Sequence, residues 1–221
     1  MRKKINRCKL LWGYWLYTLT KQCTMPNWCN TSYVVTGEEN EVCDLYEKMR
    51  SLEEREESLV ENDFGKTWLG NLVTLLGGDW NAIYCRGEWE YIEKDEDGEG
   101  NVILRFSVTS AWSDPDDTIN FLKRKYPSLA FYFIAEEPGM GYYATNDVEG
   151  DFFPERYYFS EPDDPEPYNY EEDEFDDFLR DVGNFLGKEL KSIAEAEAAV
   201  CEYNEDKEFD EMIEIKVYKV V

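Results

Sequence analysis

Hydrophobic and polar residues alternate most regularly between positions 102 and 150. A period of two predicts strands at 102–110 and 129–135, and apolar residues at helical spacing predict a helix between them. Ser113 and Asp116 have the spacing of a capping box that would begin this helix. A turn rich in proline and glycine follows the second strand and predicts an added hairpin. The region is therefore expected to fold as strand, helix, strand and hairpin.

Similar patterns precede this region. Alternation predicts a first strand at 30–36, and the helix after it has four apolar residues on one face, namely Val42, Leu45, Met49 and Leu52. A short helix is expected within 64–78 and a second strand at 82–93, which an acidic turn at 95–101 connects to the third strand. The order of the main elements is thus strand, helix, strand, strand, helix, strand.

The last third of the chain has a different composition. A strand is expected at 152–159, and residues 161–181 then include eleven acidic residues and one basic residue, interleaved with aromatic residues. Prolines make the first part of this segment a linker. Helical spacing begins at Glu172, and a helix at 193–203 either continues this helix or restarts after it. Alternation at 212–221 predicts a closing strand.

The composition restricts the possible functions. The 221 residues are 43% hydrophobic, which is enough for one proper core, and 49 acidic residues outnumber 23 basic ones to give a net charge of -26. Such a charge disfavours nonspecific binding to nucleic acid or anionic lipid and favours basic partners. Histidine is absent, and no two of the six cysteines are close enough for a CxxC motif. We therefore predict no metal and no cofactor, with reduced thiols in the cytoplasm.

Residues 1–24 differ from the rest of the chain. They contain six basic and no acidic residues around a short apolar run that is rich in tryptophan and tyrosine. The run is too short to span a bilayer, and bulky aromatic residues do not suit a signal peptide. We expect Met25 to be the natural start and residues 1–24 to be an upstream extension outside the fold. Without residues 1–24, the chain has 17 basic and 49 acidic residues.

Several short motifs resemble one protein family. Met-Pro-Asn-Trp-Cys-Asn opens the segment at 25–30, FSVTSAWSDP occupies 106–115, Tyr126-Pro127 ends the next helix, and a Gly-aromatic hairpin follows at 139–143. These motifs resemble the YubB-type ferredoxin-like family of proteins from plasmids, phages and other mobile elements. The resemblance covers about residues 25–160. It implies a β-α-β-β-α-β core, in which the name describes the topology and not an iron–sulfur cluster, and it implies no activity.

The predicted fold class is therefore α+β. We expect a ferredoxin-like β-α-β-β-α-β sandwich at 25–160 with an added hairpin, followed at 161–221 by an appendage of acidic linker, helix and closing strand.

The acidic segment suggests the first functional hypothesis. Carboxylates along a helix and a linker imitate the charge density of a nucleic acid backbone, and aromatic residues add anchors for a partner. We expect a non-enzymatic accessory protein of a mobile element that binds a basic host or element protein. Mimicry of a nucleic acid is one way in which it would bind this partner. The candidate residues are Asp163, Asp164, Glu171, Glu172, Asp173, Glu174, Asp176 and Asp177.

Two alternatives use other residues. An open sheet face with aromatic residues can stack the bases of single-stranded RNA or hold a small ligand, and the candidates are Arg86, Trp89, Arg105 and Trp112. The acidic body argues against direct nucleic acid binding. A carboxylate-based enzyme is the third hypothesis, with Glu88 beside Glu90 or Glu136 near Asp114, but neither pair indicates a substrate, and no catalytic residue is assigned.

Overall fold

The structure of the protein is a computed structural model that describes residues 27–162 and 167–221. Its nine described strands are β1 (Trp28–Thr36), β2 (Gly87–Glu96), β3 (Val102–Ala111), β4 (Ala130–Glu137), β5 (Tyr142–Thr145), β6 (Tyr157–Ser160), β7 (Tyr168–Tyr170), β8 (Glu214–Val217) and β9 (Lys219–Val220). Its five described α-helices are α1 (Glu39–Glu53), α2 (Leu69–Leu75), α3 (Asp116–Lys125), α4 (Phe175–Leu186) and α5 (Ile193–Asn204). The predicted α+β class is confirmed. The predicted extension at 1–24 lies outside the described residues.

A six-stranded mixed sheet forms the larger part of the molecule, with the strand order β2-β3-β1-β4-β5-β9. Strand β1 is central and pairs antiparallel with β3 on one side and with β4 on the other. The β4–β5 pair is the expected hairpin, and β9 adds the one parallel pairing of this sheet. The first four strands in the chain therefore have the spatial order β2-β3-β1-β4.

The main core lies between this sheet and the first three helices. Helix α1 places Val42, Leu45, Met49 and Leu52 against it, as their spacing predicts. Trp89 is completely buried there, and its indole Nε1 donates a 3.0 Å hydrogen bond to Glu53 at the end of α1. Full burial of each large apolar side chain stabilises the fold by about 1.5–3 kcal/mol.

A second, smaller core belongs to the C-terminal part. Strands β7, β6 and β8 form a separate sheet in that order, and α4 and α5 pack against it. Phe178 of α4 is fully buried and stacks on Tyr157 of β6, with ring centroids 5.1 Å apart. Helix α4 ends at Gly187, whose left-handed φ of 64° suits glycine.

A network of buried polar groups connects the two sheets. Asp147 follows β5, and its carboxylate accepts hydrogen bonds from the backbone amides of Asp151, Phe152 and Phe153. The buried Arg156 precedes β6, and its guanidinium donates to the carbonyl oxygens of Asp147 and Phe153, each at 2.6 Å. These contacts fix the direction in which the chain leaves the larger sheet.

One predicted strand and one predicted helix cap in the larger part of the molecule are wrong. The second strand runs from Gly87 to Glu96 rather than from 82 to 93, because the carbonyl oxygen of Tyr84 accepts a 3.0 Å bond from the Thr118 hydroxyl instead of a ladder bond. The predicted capping box is also absent. Helix α3 begins at Asp116 after Pro115, and the Ser113 hydroxyl contacts the carbonyl oxygen of Asp114.

The C-terminal part also departs from prediction. The strand expected at 152–159 is the shorter β6, and it pairs with β7 and β8 rather than within the larger sheet. Part of the expected linker forms β7, and the expected closing strand divides at Tyr218 into β8 and β9, which belong to different sheets. The sequence left open whether the helix at 193–203 continues α4 or starts anew. It starts anew, because α4 ends at Gly187 and the Ser192 hydroxyl caps α5.

Candidate functional site

The acidic candidates lie where β7 meets α4. A short 3₁₀ turn at Glu172–Glu174 precedes α4, and the backbone amide of Glu171 donates a 2.9 Å bond to the Glu174 carboxylate. Acidic residues at the beginning of a helix are stabilised by the positive end of the helix dipole. The helix geometry therefore accommodates this concentration of negative charge.

Most of these carboxylates are exposed. Glu171, Glu172, Asp173, Glu174 and Asp176 all face solvent, while Asp177 is half-buried and pairs with Arg180. Arg180 also approaches Asp181 at 3.3 Å, and the bond to Asp177 raises the pKa of the guanidinium. Asp163 and Asp164, the other two candidates, lie outside the described residues. The structure thus brings five predicted carboxylates together on one exposed surface, which we call the acidic surface (Glu171–Asp176 without Phe175).

The aromatic residues interleaved with these carboxylates have mainly a structural role. Tyr170 and Phe178 are buried in the second core, and Phe175 is half-buried against Tyr157. Tyr168 differs, because it remains 47% exposed while stacking on Phe159 with centroids 6.2 Å apart. Among these aromatic residues, Tyr168 is therefore the one that is exposed enough to contact a partner.

The alternative sheet-face site does not assemble as predicted. Trp89 pairs with Val108 on the covered face of the sheet, where it is fully buried. Arg105 pairs with Glu93 and points to the opposite face, because side chains alternate along a strand. Arg86 is exposed in the loop before β2, and Trp112 is exposed just after β3. The four residues do not share one face.

In the suggested carboxylate pairs, each carboxylate contacts another group. A bulge interrupts β2 between Trp89 and Tyr91, and Glu90 accepts a 2.7 Å bond from the Thr109 hydroxyl. Glu88 instead contacts Thr67. Glu136 forms a 2.8 Å ion pair with Lys216, while Asp114 accepts a 2.6 Å bond from the Tyr142 hydroxyl. Each carboxylate has its own partner.

The structure instead places Asp114 next to Asp116. Burial is the main cause that raises the pKa of Asp116, and the charge of Asp114 and a hydrogen bond to it add to this effect. Tyr33, which is buried nearby, has a hydroxyl without a hydrogen-bond partner among the described residues. This acidic pair was not predicted from the sequence, although Asp-Pro-Asp before a helix was a possible signal.

The stretches of the family resemblance meet at the same end of the sheet. The carbonyl oxygen of Asn27 accepts a 2.9 Å bond from the backbone amide of Trp112. A Cβ atom on Gly139 would lie 2.5 Å from the Asn27 side chain, so only glycine fits without a shift. Trp112 has a φ of 74°, a left-handed conformation that costs a residue with a Cβ about 1–2 kcal/mol. Three sequence motifs therefore form one continuous structural unit.

Within residues 27–162 and 167–221, no group of three or more acidic or cysteine side chains is arranged to hold a metal ion. None of the helices in these ranges is both long and apolar enough to cross a membrane. In comparisons with known proteins, no family model, no curated protein and no solved structure matches the chain.

Proposed function

We propose that the protein is a YubB-type ferredoxin-like domain with a C-terminal appendage, acting as a cytoplasmic accessory protein of a mobile element. The spatial order β2-β3-β1-β4, with helices on one face, supports the ferredoxin-like assignment because it is the order of that β-α-β-β-α-β topology. The motif at 25–30 and its partners at 106–115 and 139–143 support the family assignment.

The proposed activity is non-enzymatic binding of a basic protein through the acidic surface. The supporting observation is the exposure of five carboxylates within six positions, with Arg180 engaged by Asp177 and Asp181. Exposed charges of one sign attract a basic partner over distances of about 10 Å at 0.1 M salt and accelerate association. Tyr168 would supply a local apolar contact next to this charge.

The spacing of these charges supports a nucleic-acid mimic. Glu171 is extended and the residues after it are 3₁₀ or α-helical, so the segment from Glu171 to Asp176 extends about 9–11 Å at about 3.3 Å per extended and about 1.5–2.0 Å per helical residue. Five charges over that length correspond to about one charge every 2 Å, close to the value of about 1.7 Å for duplex DNA. A protein with a DNA-binding surface would therefore meet a similar linear charge density.

The proposal can be tested by affinity capture from host lysate with quantitative mass spectrometry. A variant with Glu172→Gln, Asp173→Asn, Glu174→Gln and Asp176→Asn should lose the basic proteins that the wild type retains. The matched control is Glu205→Gln, Asp206→Asn, Glu208→Gln and Asp210→Asn, which neutralises four exposed carboxylates elsewhere in the C-terminal part. Equal loss in both variants would indicate a general charge effect, and retention by the first variant would exclude the acidic surface as the interface.

A further inference from the structure

A groove outside the acidic surface runs along the loop at 79–86. It consists of two adjoining hollows of about 560 and 460 Å³, which share Ala82, Ile83 and Asp117. The loop is held in place by the bond from the Thr118 hydroxyl to the carbonyl oxygen of Tyr84. Each hollow has the volume of a typical small-molecule site, about 300–1,000 Å³. The groove is therefore large enough for a ligand of modest size.

Aromatic side chains line the larger hollow. Trp68 and Trp80 meet edge to face with centroids 5.2 Å apart, and Phe64 lies parallel to Trp68 at 6.5 Å. Phe64 and Trp80 are only half-buried, and Tyr84 is 45% exposed. A flat ring placed against these side chains would gain about 1–3 kcal/mol from stacking.

One polar group in this wall has no partner. The indole Nε1 of Trp68 is buried without a hydrogen-bond acceptor among the described residues. Such a donor costs the fold about 1–3 kcal/mol. Because this nitrogen is not accessible to solvent, a ligand in the groove would contact the exposed ring atoms of Trp80 and Tyr84 rather than this atom.

Basic side chains occupy both ends of the groove. Arg86 lies beside the aromatic wall, and Lys123 and Arg124 line the smaller hollow. All three are exposed, and Asp117 is the one acidic side chain among the described residues that lines either hollow. On a chain with a net charge of -26, this is a local site for an anion.

We propose that this groove binds a mononucleotide, with the base against Trp80 and Tyr84 and the phosphate at Lys123 and Arg124. The aromatic wall matches the base, and the basic residues match the phosphate. A single phosphate needs only these local cations, whereas a nucleic acid strand would extend over the acidic remainder of the surface and be repelled. The site is independent of the acidic surface and of its proposed partner.

Isothermal titration calorimetry of the full chain with AMP, GMP, CMP and UMP tests this proposal. We expect saturable binding of at least one nucleotide, with weaker binding of the corresponding nucleoside and of inorganic phosphate. The variant Lys123→Gln, Arg124→Gln should raise the Kd at least tenfold, and Trp80→Ala should do the same. Because the two basic residues are exposed, their replacement should leave the fold intact.

A double variant of exposed lysines outside the groove, Lys191→Gln and Lys219→Gln, is the control and should bind as the wild type does. Circular dichroism separates loss of binding from unfolding in Trp80→Ala, and Trp80→Phe should retain most of the affinity. Absence of binding for all four nucleotides would overturn the proposal. So would phosphate binding as tightly as the nucleotides, or a single-stranded oligonucleotide binding when no mononucleotide does.

Discussion

At the scale of single residues, the structure depends on polar groups that the hydrophobic pattern does not reveal. Asp147 and Arg156 are both buried, at 1% and 4% exposure, yet each satisfies backbone groups rather than a charged partner. Buried polar groups are tolerated when they are fully hydrogen-bonded, and they become costly once a partner is removed. The sequence offered no periodicity from which either role could be predicted.

The Asp147→Ala variant should be destabilised by about 2–3 kcal/mol, because three backbone amides would lose their acceptor. Urea unfolding monitored by circular dichroism measures this change. Asp151→Ala is a suitable control, since that side chain is exposed. Equal stability of the Asp147→Ala variant and the wild type would show that these bonds do not hold the connection between the sheets.

The acidic pair at the beginning of α3 should make stability depend on pH. Burial and the neighbouring Asp114 raise the pKa of Asp116, so the native state binds this proton more tightly than the unfolded state. Stability is therefore lost as pH rises from the ordinary aspartate range, near 3.9, through the raised pKa.

The Asp116→Asn variant should not lose stability as pH rises, because the amide can donate to Asp114 at every pH. We expect its free energy of unfolding to exceed that of the wild type at pH 7, with the difference decreasing towards acidic pH. Asp117→Asn removes a similar charge from the first helical turn and should instead destabilise the protein by about 0.3–1 kcal/mol. Parallel pH profiles for the two variants would contradict the assignment.

At the scale of elements, long and regular patterns predict well. The apolar positions of α1 all point into the core, and β3 and β4 lie within two residues of their expected bounds. The bounds of short elements are predicted poorly, because tertiary contacts determine where these elements begin and end. Tyr84 bonds to a helix rather than to a strand, and Tyr218 separates β8 from β9 because its amide bonds to Arg156. The acidic surface was predictable from composition, whereas the groove needed contacts between distant segments.

Helix α4 offers a test at this scale. Gly187 ends the helix at a φ of 64°, and a Cβ atom there would meet no other atom within 4 Å. The Gly187→Ala variant should therefore lose about 1–2 kcal/mol from backbone strain alone. Gly98 has equally open surroundings but no left-handed φ, so Gly98→Ala should be nearly neutral. Differential scanning calorimetry compares the two, and equal unfolding temperatures would contradict this view of the helix end.

At the scale of the whole molecule, two cores are connected by the C-terminal strands and by the buried Tyr218. Strand β9 extends the larger sheet while β8 completes the smaller one. Between them, the Tyr218 hydroxyl contacts the Glu136 carboxylate, which also pairs with Lys216. The two parts therefore share polar contacts around β4, β5 and β8.

Four tyrosines with raised pKa values predict cooperative alkaline unfolding. Burial and the carboxylates of Glu214 and Glu136 raise the pKa of Tyr143 to about 12, and burial with a bonded carboxylate raises the pKa of Tyr142, Tyr170 and Tyr218. The unfolded state ionises near pH 10, so the native state is destabilised as pH rises above that value. Tyrosinate absorbance and circular dichroism should change together. Gradual titration near pH 10 in a folded protein would refute the prediction.

The proposed role of the acidic surface is to replace DNA on a basic partner. The most direct test of this role is a competition measurement in which the wild type, the variant at 172, 173, 174 and 176, and the variant at 205, 206, 208 and 210 displace labelled duplex DNA from the captured protein. We predict displacement by the wild type and by the second variant, at least tenfold weaker displacement by the first, and a steep loss between about 0.1 and 1 M salt. Simultaneous binding of the protein and DNA, or equal displacement by all three proteins, would contradict the claim.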